Sequence, residues 1–157
     1  MAKYERPPEP ESQSEIVFKA LQGDWRVVYS EFNGEMTPVA DFSTIVLTHK
    51  GSNFSVAKNG KVLYEGRYSV NTAVMPHRVV LFYTKSANEA FLGGPRVGLA
   101  QLVGDTLKTI LPPVGQEPPK DFTTYPDSDF VLSVHQRVGS EKGAALSAAK
   151  TRFVSQW

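Results

Sequence analysis

Apolar and polar residues alternate along most of the chain between residues 24 and 138. Alternating runs that are rich in β-branched and aromatic residues predict β-strands. Eight such runs are present, over residues 24–32, 44–50, 53–58, 61–70, 77–84, 96–104, 106–113 and 129–138. Tight-turn sequences such as Asn59-Gly60 and Gly104-Asp105 separate several of them and favour short hairpins. Eight strands joined in series lose their exposed edges most simply by closing into an antiparallel up-and-down barrel.

Helical spacing of apolar residues replaces this alternation before the first predicted strand and after the last one. A short N-terminal helix is expected before Gly23, with Ser14 as its N-cap and an apolar stripe that includes Leu21. Residues 139–157 predict a C-terminal helix, because their apolar residues recur on one helix face. The four residues of that face are Leu146, Ala149, Phe153 and Trp157.

The composition of the segments between and around the strands suggests a division of the chain. Residues 1–13 mix proline with charge and predict a disordered leader. Residues 14–138 form the barrel domain, and residues 139–157 form the helical tail. Within the domain, the link after the first strand is expected to carry a helical turn across one end of the barrel. Residues 112–129, rich in proline, are expected to form an extended loop.

Charge and cysteine content exclude several classes of function. Lys and Arg number 17 against 16 Asp and Glu, so the net charge of +1 gives no reason to expect a nucleic-acid partner. The absence of Cys excludes disulfides and thiolate chemistry. Residues 1–22 contain no apolar run typical of a signal peptide, and no stretch is apolar enough to span a membrane. The expectation is therefore a cytoplasmic protein without a membrane span.

The pair Gly23-x-Trp25 opens the first strand, and Arg137 lies on the last one. The indole is expected to turn into the bottom of the barrel and close it. These residues resemble the structural signature of lipocalins, in which such an arginine packs over the tryptophan. Together with the stretches "LQGDWRVV", "LVGDTLKTIL" and "PDSDFVLSVHQR", they are similar to a lipocalin-like domain family of unknown function that is abundant in planctomycete bacteria. The resemblance implies an eight-stranded barrel with a cup-shaped interior, and it implies no catalytic residues.

An eight-stranded barrel can be filled by its own side chains or can hold one small ligand. If Trp25 points inward, strand alternation predicts a largely apolar pocket with tyrosine and glutamine donors. The residues predicted to line this pocket and bind a ligand there are Tyr29, Leu47, Tyr64, Tyr68, Phe82, Leu99 and Gln101. Phe91 and Leu92, in the segment "FLGGP", are predicted to form a lid over the mouth. The favoured function is binding of an apolar or amphipathic small molecule, with no cofactor.

Two alternatives stay open at this point. A barrel enzyme of the cyclase or isomerase type would need an interior acid or base, for which Glu31 is a weak candidate beside Asp41 and Glu65. A solid barrel could instead serve as an interaction module whose C-terminal tail joins a second copy. The three histidines are isolated in the sequence, so a metal site is not expected and surface or rim positions are favoured for them.

Overall fold

The computed structural model describes residues 12–139. The elements are α1 (Gln13–Leu21), β1 (Gly23–Phe32), β2 (Glu35–Met36), α2 (Val39–Phe42), β3 (Ile45–Lys50), β4 (Asn53–Lys58), β5 (Lys61–Asn71), β6 (His77–Ser86), a 3-10 helix (Glu89–Gly93), β7 (Arg96–Val103), β8 (Thr106–Leu111) and β9 (Val131–Arg137). The predicted tail helix and most of the predicted leader lie outside the described residues. Within the described part of the chain, no helix is long and apolar enough to cross a membrane.

The strands form a closed antiparallel barrel, as the alternation predicts. Each strand from β3 to β9 pairs with the next, β1 pairs with β3, and β9 returns to β1 and closes the ring. The closing register places Trp25 opposite Arg137. The two-residue strand β2 extends a short hairpin from the end of β1 and takes no part in the ring.

Helix α1 begins two residues earlier than the sequence suggests. Its N-cap is Ser12 and not Ser14, because Ser12 and Glu15 form a reciprocal capping box. In that motif the serine hydroxyl accepts from the N3 backbone, and the N3 carboxylate accepts from the N-cap backbone. The boundary expected between residues 13 and 14 therefore falls inside the helix.

Because neighbouring strands run in opposite directions, each end of the barrel is formed by the starts of some strands and the ends of others. The starts of β1 and β8 and the ends of β3 and β9 define one end, called here the Trp25 end. The starts of β3, β7 and β9 define the other, called the Arg96 end. Helix α1 packs Val17 and Leu21 against buried residues of the barrel at the Trp25 end. Helix α2 follows β1, as expected for a helical turn in this link, and buries Phe42.

A second apolar cluster lies outside the barrel wall. It consists of Leu99, Ile110 and Leu132, with Tyr29, Phe122 and Phe130 packed against it, and is called here the outer cluster. Residues 112–130, which contain no helix or strand, cover it. The predicted extended loop is thus present, and it buries the outward face of β7, β8, β9 and β1.

Two glycines within strands mark places where another strand comes close. A Cβ at Gly66 would lie 2.1 Å from the carbonyl oxygen of Phe82, and one at Gly98 would lie 2.1 Å from that of Ile110. Real Cβ atoms cannot approach a carbonyl so closely. These glycines are therefore required for strand packing in the barrel.

Candidate ligand cavity

The interior of the barrel contains a cavity of about 230 Å³. A cavity needs only roughly 10–15 Å³ of such space to hold one buried water, so this cavity can hold more than one or two solvent molecules. Most of its wall is aliphatic or aromatic. The apolar lining residues are Leu21, Val27, Phe42, Ile45, Leu47, Phe54, Val56, Val70, Val79, Leu81, Ala100, Leu107, Leu111 and Val131.

The Trp25 end of the cavity is closed by the predicted tryptophan and arginine. Trp25 is completely buried, and its indole Nε1 donates to the Leu21 carbonyl at 2.9 Å. The Arg137 guanidinium carbon lies 4.4 Å from the indole centroid. Arg137 also donates to the Gln22 carbonyl at 2.9 Å and pairs with Asp105 at 2.8 Å. A cation over an aromatic face, tied to the C-terminal carbonyls of α1, locks the helix onto the barrel.

Gly23 provides the turn between α1 and β1. Its φ of 111° lies in a region that other residues avoid, so the chain can leave the helix and enter the strand within a single residue. This geometry accounts for the Gly23-x-Trp25 spacing.

Two histidines line the cavity near this end, at positions where the sequence suggested surface or rim residues. His49 is 8% exposed and His135 is 6% exposed. The Nδ1 atom of His49 lies 2.9 Å from the Leu21 carbonyl oxygen, and that of His135 lies 3.2 Å from the Leu107 carbonyl oxygen. Since a carbonyl can only accept, Nδ1 carries the hydrogen in both rings, and Nε2 is left as an acceptor in the neutral ring.

Burial keeps both imidazoles neutral. It lowers the pKa of His49, against a smaller opposing effect of the bond to Leu21. It lowers the pKa of His135 to about 4. Among residues 12–139 no group of three or more His, Asp or Glu is arranged to hold a metal ion. The two rings therefore supply neutral polar atoms to an otherwise largely apolar wall.

One side of the cavity carries hydroxyl groups. Ser30 pairs with Ser133 across β1 and β9, and Ser133 pairs with Thr109 across β9 and β8. All three side chains line the cavity, so they form a row at one level of the barrel. The wall formed by β4 and β6 contributes mainly aliphatic and aromatic side chains at that level. At this level the cavity therefore presents hydroxyl groups on one side and mainly apolar side chains on the other.

The Arg96 end contains a cluster of aromatic rings around a buried arginine. Tyr64, Tyr83 and Arg96 line the cavity. Phe91, in the 3-10 helix, lies 5.3 Å from the Tyr64 ring and 4.9 Å from the Tyr83 ring. Burial raises the pKa of the Tyr83 hydroxyl, although the neighbouring Arg96 charge opposes the shift. Phe91 therefore covers this cluster, whereas its neighbour Leu92 is 49% exposed.

Three of the seven residues predicted to bind a ligand line the cavity: Leu47, Tyr64 and Tyr68. The inward orientation expected for the other four was wrong. Tyr29 and Leu99 belong to the outer cluster, Phe82 is 50% exposed, and Gln101 is exposed.

A β-bulge explains the misplacement of Tyr29. The register of β1 with β9 shifts between Val27 and Tyr29, so one extra residue enters β1. Trp25 and Val27 face inward, as predicted, but beyond the bulge Ser30 replaces Tyr29 at the cavity wall. A bulge reverses the side on which every later residue of the strand appears.

Strands β6 and β7 are out of phase with the prediction by one residue. Leu81 and Tyr83 line the cavity in place of Phe82, and Ala100 lines it in place of Leu99 and Gln101. Both faces of β7 are buried in part because the outer cluster covers its outward face. Alternation of apolar and polar residues cannot identify the inward face of such a strand.

Glu31 lies outside the cavity. Its carboxylate accepts hydrogen bonds from the Tyr29 hydroxyl at 2.5 Å and from the Thr124 hydroxyl at 2.9 Å. Burial and the Glu31 charge raise the pKa of Tyr29 to about 12. No carboxylate of the described residues lines the cavity, so none of the three carboxylates considered as an interior acid or base, Glu31, Asp41 and Glu65, lies in its wall.

Comparisons with known proteins do not assign this chain to a family. No protein-family model, no curated protein and no solved structure matches the chain. The class that the fold defines is a closed eight-stranded antiparallel barrel with an internal cavity.

Proposed function

We propose that the protein binds one amphipathic small molecule inside its barrel. The observation that carries this proposal is the cavity of about 230 Å³, with an apolar side and a row of hydroxyl groups facing it. A guest would gain affinity mainly from apolar surface removed from water, at about 25 cal/mol per Å². The hydroxyls and the two neutral histidines would orient its polar atoms.

The contacts at the Trp25 end support a cavity that is closed at this end and open to a ligand at the Arg96 end. Trp25, Arg137 and α1 close that end with buried contacts, so a guest would enter at the Arg96 end, past Phe91 and Phe42. The proposed membership in the lipocalin-like family rests on the motif Gly23-x-Trp25 with Arg137. The family has no established ligand, and the guest has to be sought by experiment.

Native mass spectrometry of the untreated protein tests the proposal directly, because a retained guest adds its mass. Titration with the neutral fluorophore N-phenyl-1-naphthylamine gives a second readout that needs no co-purified ligand. The variant Ala100→Phe places a ring in the cavity and should abolish binding of the fluorophore. Ala57→Phe makes the same change at a residue outside the cavity lining and serves as the matched control.

Equal fluorophore binding by wild type and Ala100→Phe would show that the dye binds elsewhere on the surface. Absence of both a retained mass and fluorophore binding would favour a solid barrel, whose function would lie in contacts with other proteins.

A further inference from the structure

Arg96 stands at the start of β7, where it lines the Arg96 end of the cavity and is only 6% exposed. Its Nε donates to the Pro112 carbonyl at 2.8 Å, and its Nη1 donates to the Tyr83 hydroxyl at 2.9 Å. The guanidinium carbon lies 4.4 Å from the centroid of the Phe91 ring. Every one of these partners is electrically neutral.

The positive charge of Arg96 has no counter-ion in the described part of the chain. No acidic residue lines the cavity, and no carboxylate of residues 12–139 lies within ion-pair distance of the guanidinium. Buried charges in proteins are ordinarily paired, because removing an unpaired ion from water is costly. The hydroxyl, the carbonyl and the aromatic faces offset part of that cost, but none of them neutralises the charge.

The donors of Arg96 are also incompletely used. A guanidinium carries five N–H groups in a planar fork. The contacts to Pro112 and Tyr83 engage one nitrogen each, and Nη2 has no partner among the described residues. A planar fork with free donors is the geometry that pairs with a carboxylate through two parallel hydrogen bonds.

We infer that the guest of the cavity is a small organic carboxylate whose head group pairs with Arg96 and whose apolar body extends toward the Trp25 end. This inference rests on the proposed function and names the chemical class of its ligand. The hydroxyl of Tyr83 stands beside the guanidinium and can bond the same head group.

The charge of the cavity selects a monoanion over a doubly charged group. Arg96 is the only permanently charged side chain among the described lining residues. Both lining histidines are neutral near pH 7, since burial lowers their pKa. A phosphate dianion would therefore keep one unbalanced negative charge inside an apolar space, whereas a carboxylate is neutralised by Arg96 alone.

A purely structural role for Arg96 makes a different prediction. The bond to Pro112 ties β7 to the start of the segment 112–130, and that tie would stabilise the barrel whatever the guest is. In that case Arg96 would show no preference for the charge of a ligand head group. Ligands that share one chain and differ in the head group separate the two roles.

The experiment titrates the full-length protein with decanoate, 1-decanol and decylamine by isothermal calorimetry, each below its micelle concentration. The wild type should bind decanoate about tenfold to a hundredfold more tightly than decanol, the range expected for hydrogen bonds to charged groups. Decylamine should bind more weakly than decanol, because its ammonium group meets the Arg96 charge.

Arg96→Gln should abolish the preference for decanoate over decanol while retaining decanol binding. The matched control is Arg78→Gln, which removes the same charge from an exposed position on β6. It should keep the wild-type preference. If circular dichroism shows that Arg96→Gln is unfolded, Arg96→Lys takes its place and should reduce the preference, since lysine keeps the charge without the planar fork.

The outcomes separate this inference from the proposal on which it rests. Equal affinity of the wild type for decanoate and decanol, or a preference that survives Arg96→Gln, would overturn the carboxylate assignment and leave amphiphile binding intact. If the wild type binds none of the three amphiphiles, the proposed function fails and the assignment fails with it.

Discussion

Acid should destabilise this barrel through His135. The ring lies on β9 inside the barrel, 6% exposed, and donates from Nδ1 to the Leu107 carbonyl. A second proton on Nε2 would place a charge in the cavity wall, near His49, where no described lining residue is a carboxylate. Burial, assisted by His49, therefore lowers the pKa of His135 to about 4.

The size of the effect follows from proton linkage. In the unfolded chain His135 takes up a proton as the pH falls below 6.5, while in the folded barrel it stays neutral down to about pH 4. Stability present above pH 6.5 is therefore lost as the pH falls toward 4, and no more is lost below that value. At 1.36 kcal/mol for each pH unit, the interval from 6.5 to 4 costs about 3 kcal/mol. About 2 kcal/mol of this is already lost at pH 5.

The variant His135→Asn isolates this contribution. Asparagine cannot titrate, and its amide nitrogen can replace Nδ1 as the donor to Leu107. Urea unfolding at pH 7.5, 6, 5 and 4.5 gives the free energy of unfolding of both proteins, and their difference cancels the carboxylates that titrate in both. The wild type should lose about 2 kcal/mol relative to the variant between pH 7.5 and pH 5, which is roughly a 1 M shift in urea midpoint.

A free-energy difference between wild type and His135→Asn that stays constant over this pH range would refute the reasoning. It would mean that the ring takes up its proton equally in the folded and unfolded states and hence has access to water. His49, whose pKa burial also lowers, contributes in the same direction. The double variant should therefore be less sensitive to acid than His135→Asn.

The remaining predictions concern stability at neutral pH, measured by chemical unfolding. Trp25→Ala should cost about 3–5 kcal/mol, as a fully buried aromatic truncation, and a loss under about 1 kcal/mol would contradict its role in closing the barrel. Gly98→Ala should cost about 3 kcal/mol, because its Cβ would meet the Ile110 carbonyl. Gly93→Ala, with open space around it, should be nearly neutral. Leu99→Ala should cost about 2–5 kcal/mol if the outer cluster is a true core, and a surface-like value would disprove that.

Local signals in the sequence were sufficient to predict the barrel. Turn residues at Asn59-Gly60 and Gly104-Asp105 set the hairpins between β4 and β5 and between β7 and β8, and the eight predicted runs correspond to the eight strands of the ring. Hairpin connections join neighbours in sequence, so the strand order follows directly from the order of the runs. The resemblance to lipocalins implied that Arg137 packs over Trp25, and closure of the ring brings the two residues opposite each other.

The cavity wall could be predicted only in part. Leu47, Tyr64 and Tyr68 were found because β3 and β5 keep a regular alternation at those residues. Tyr29 was misplaced because the bulge after Val27 leaves no mark in composition. Arg96 was missed, since an arginine at the start of a strand is ordinarily exposed, and only the packing of Phe91 and Tyr83 around it shows that it is buried.

The outer cluster also helps to fix the position of the hydroxyl row in the cavity wall. The row of Ser30, Thr109 and Ser133 belongs to β1, β8 and β9, and these strands are covered on their outward face by residues 112–130. A strand buried on both faces has little freedom to adjust its register. The hydroxyl row is therefore held at a fixed level of the barrel, while the outward face of β5 and β6 stays exposed at Val62 and Phe82. The hydroxyl row thus lies on the part of the wall that is packed on both faces, and it offers hydrogen-bonding positions whose spacing is set by the register of β1, β8 and β9.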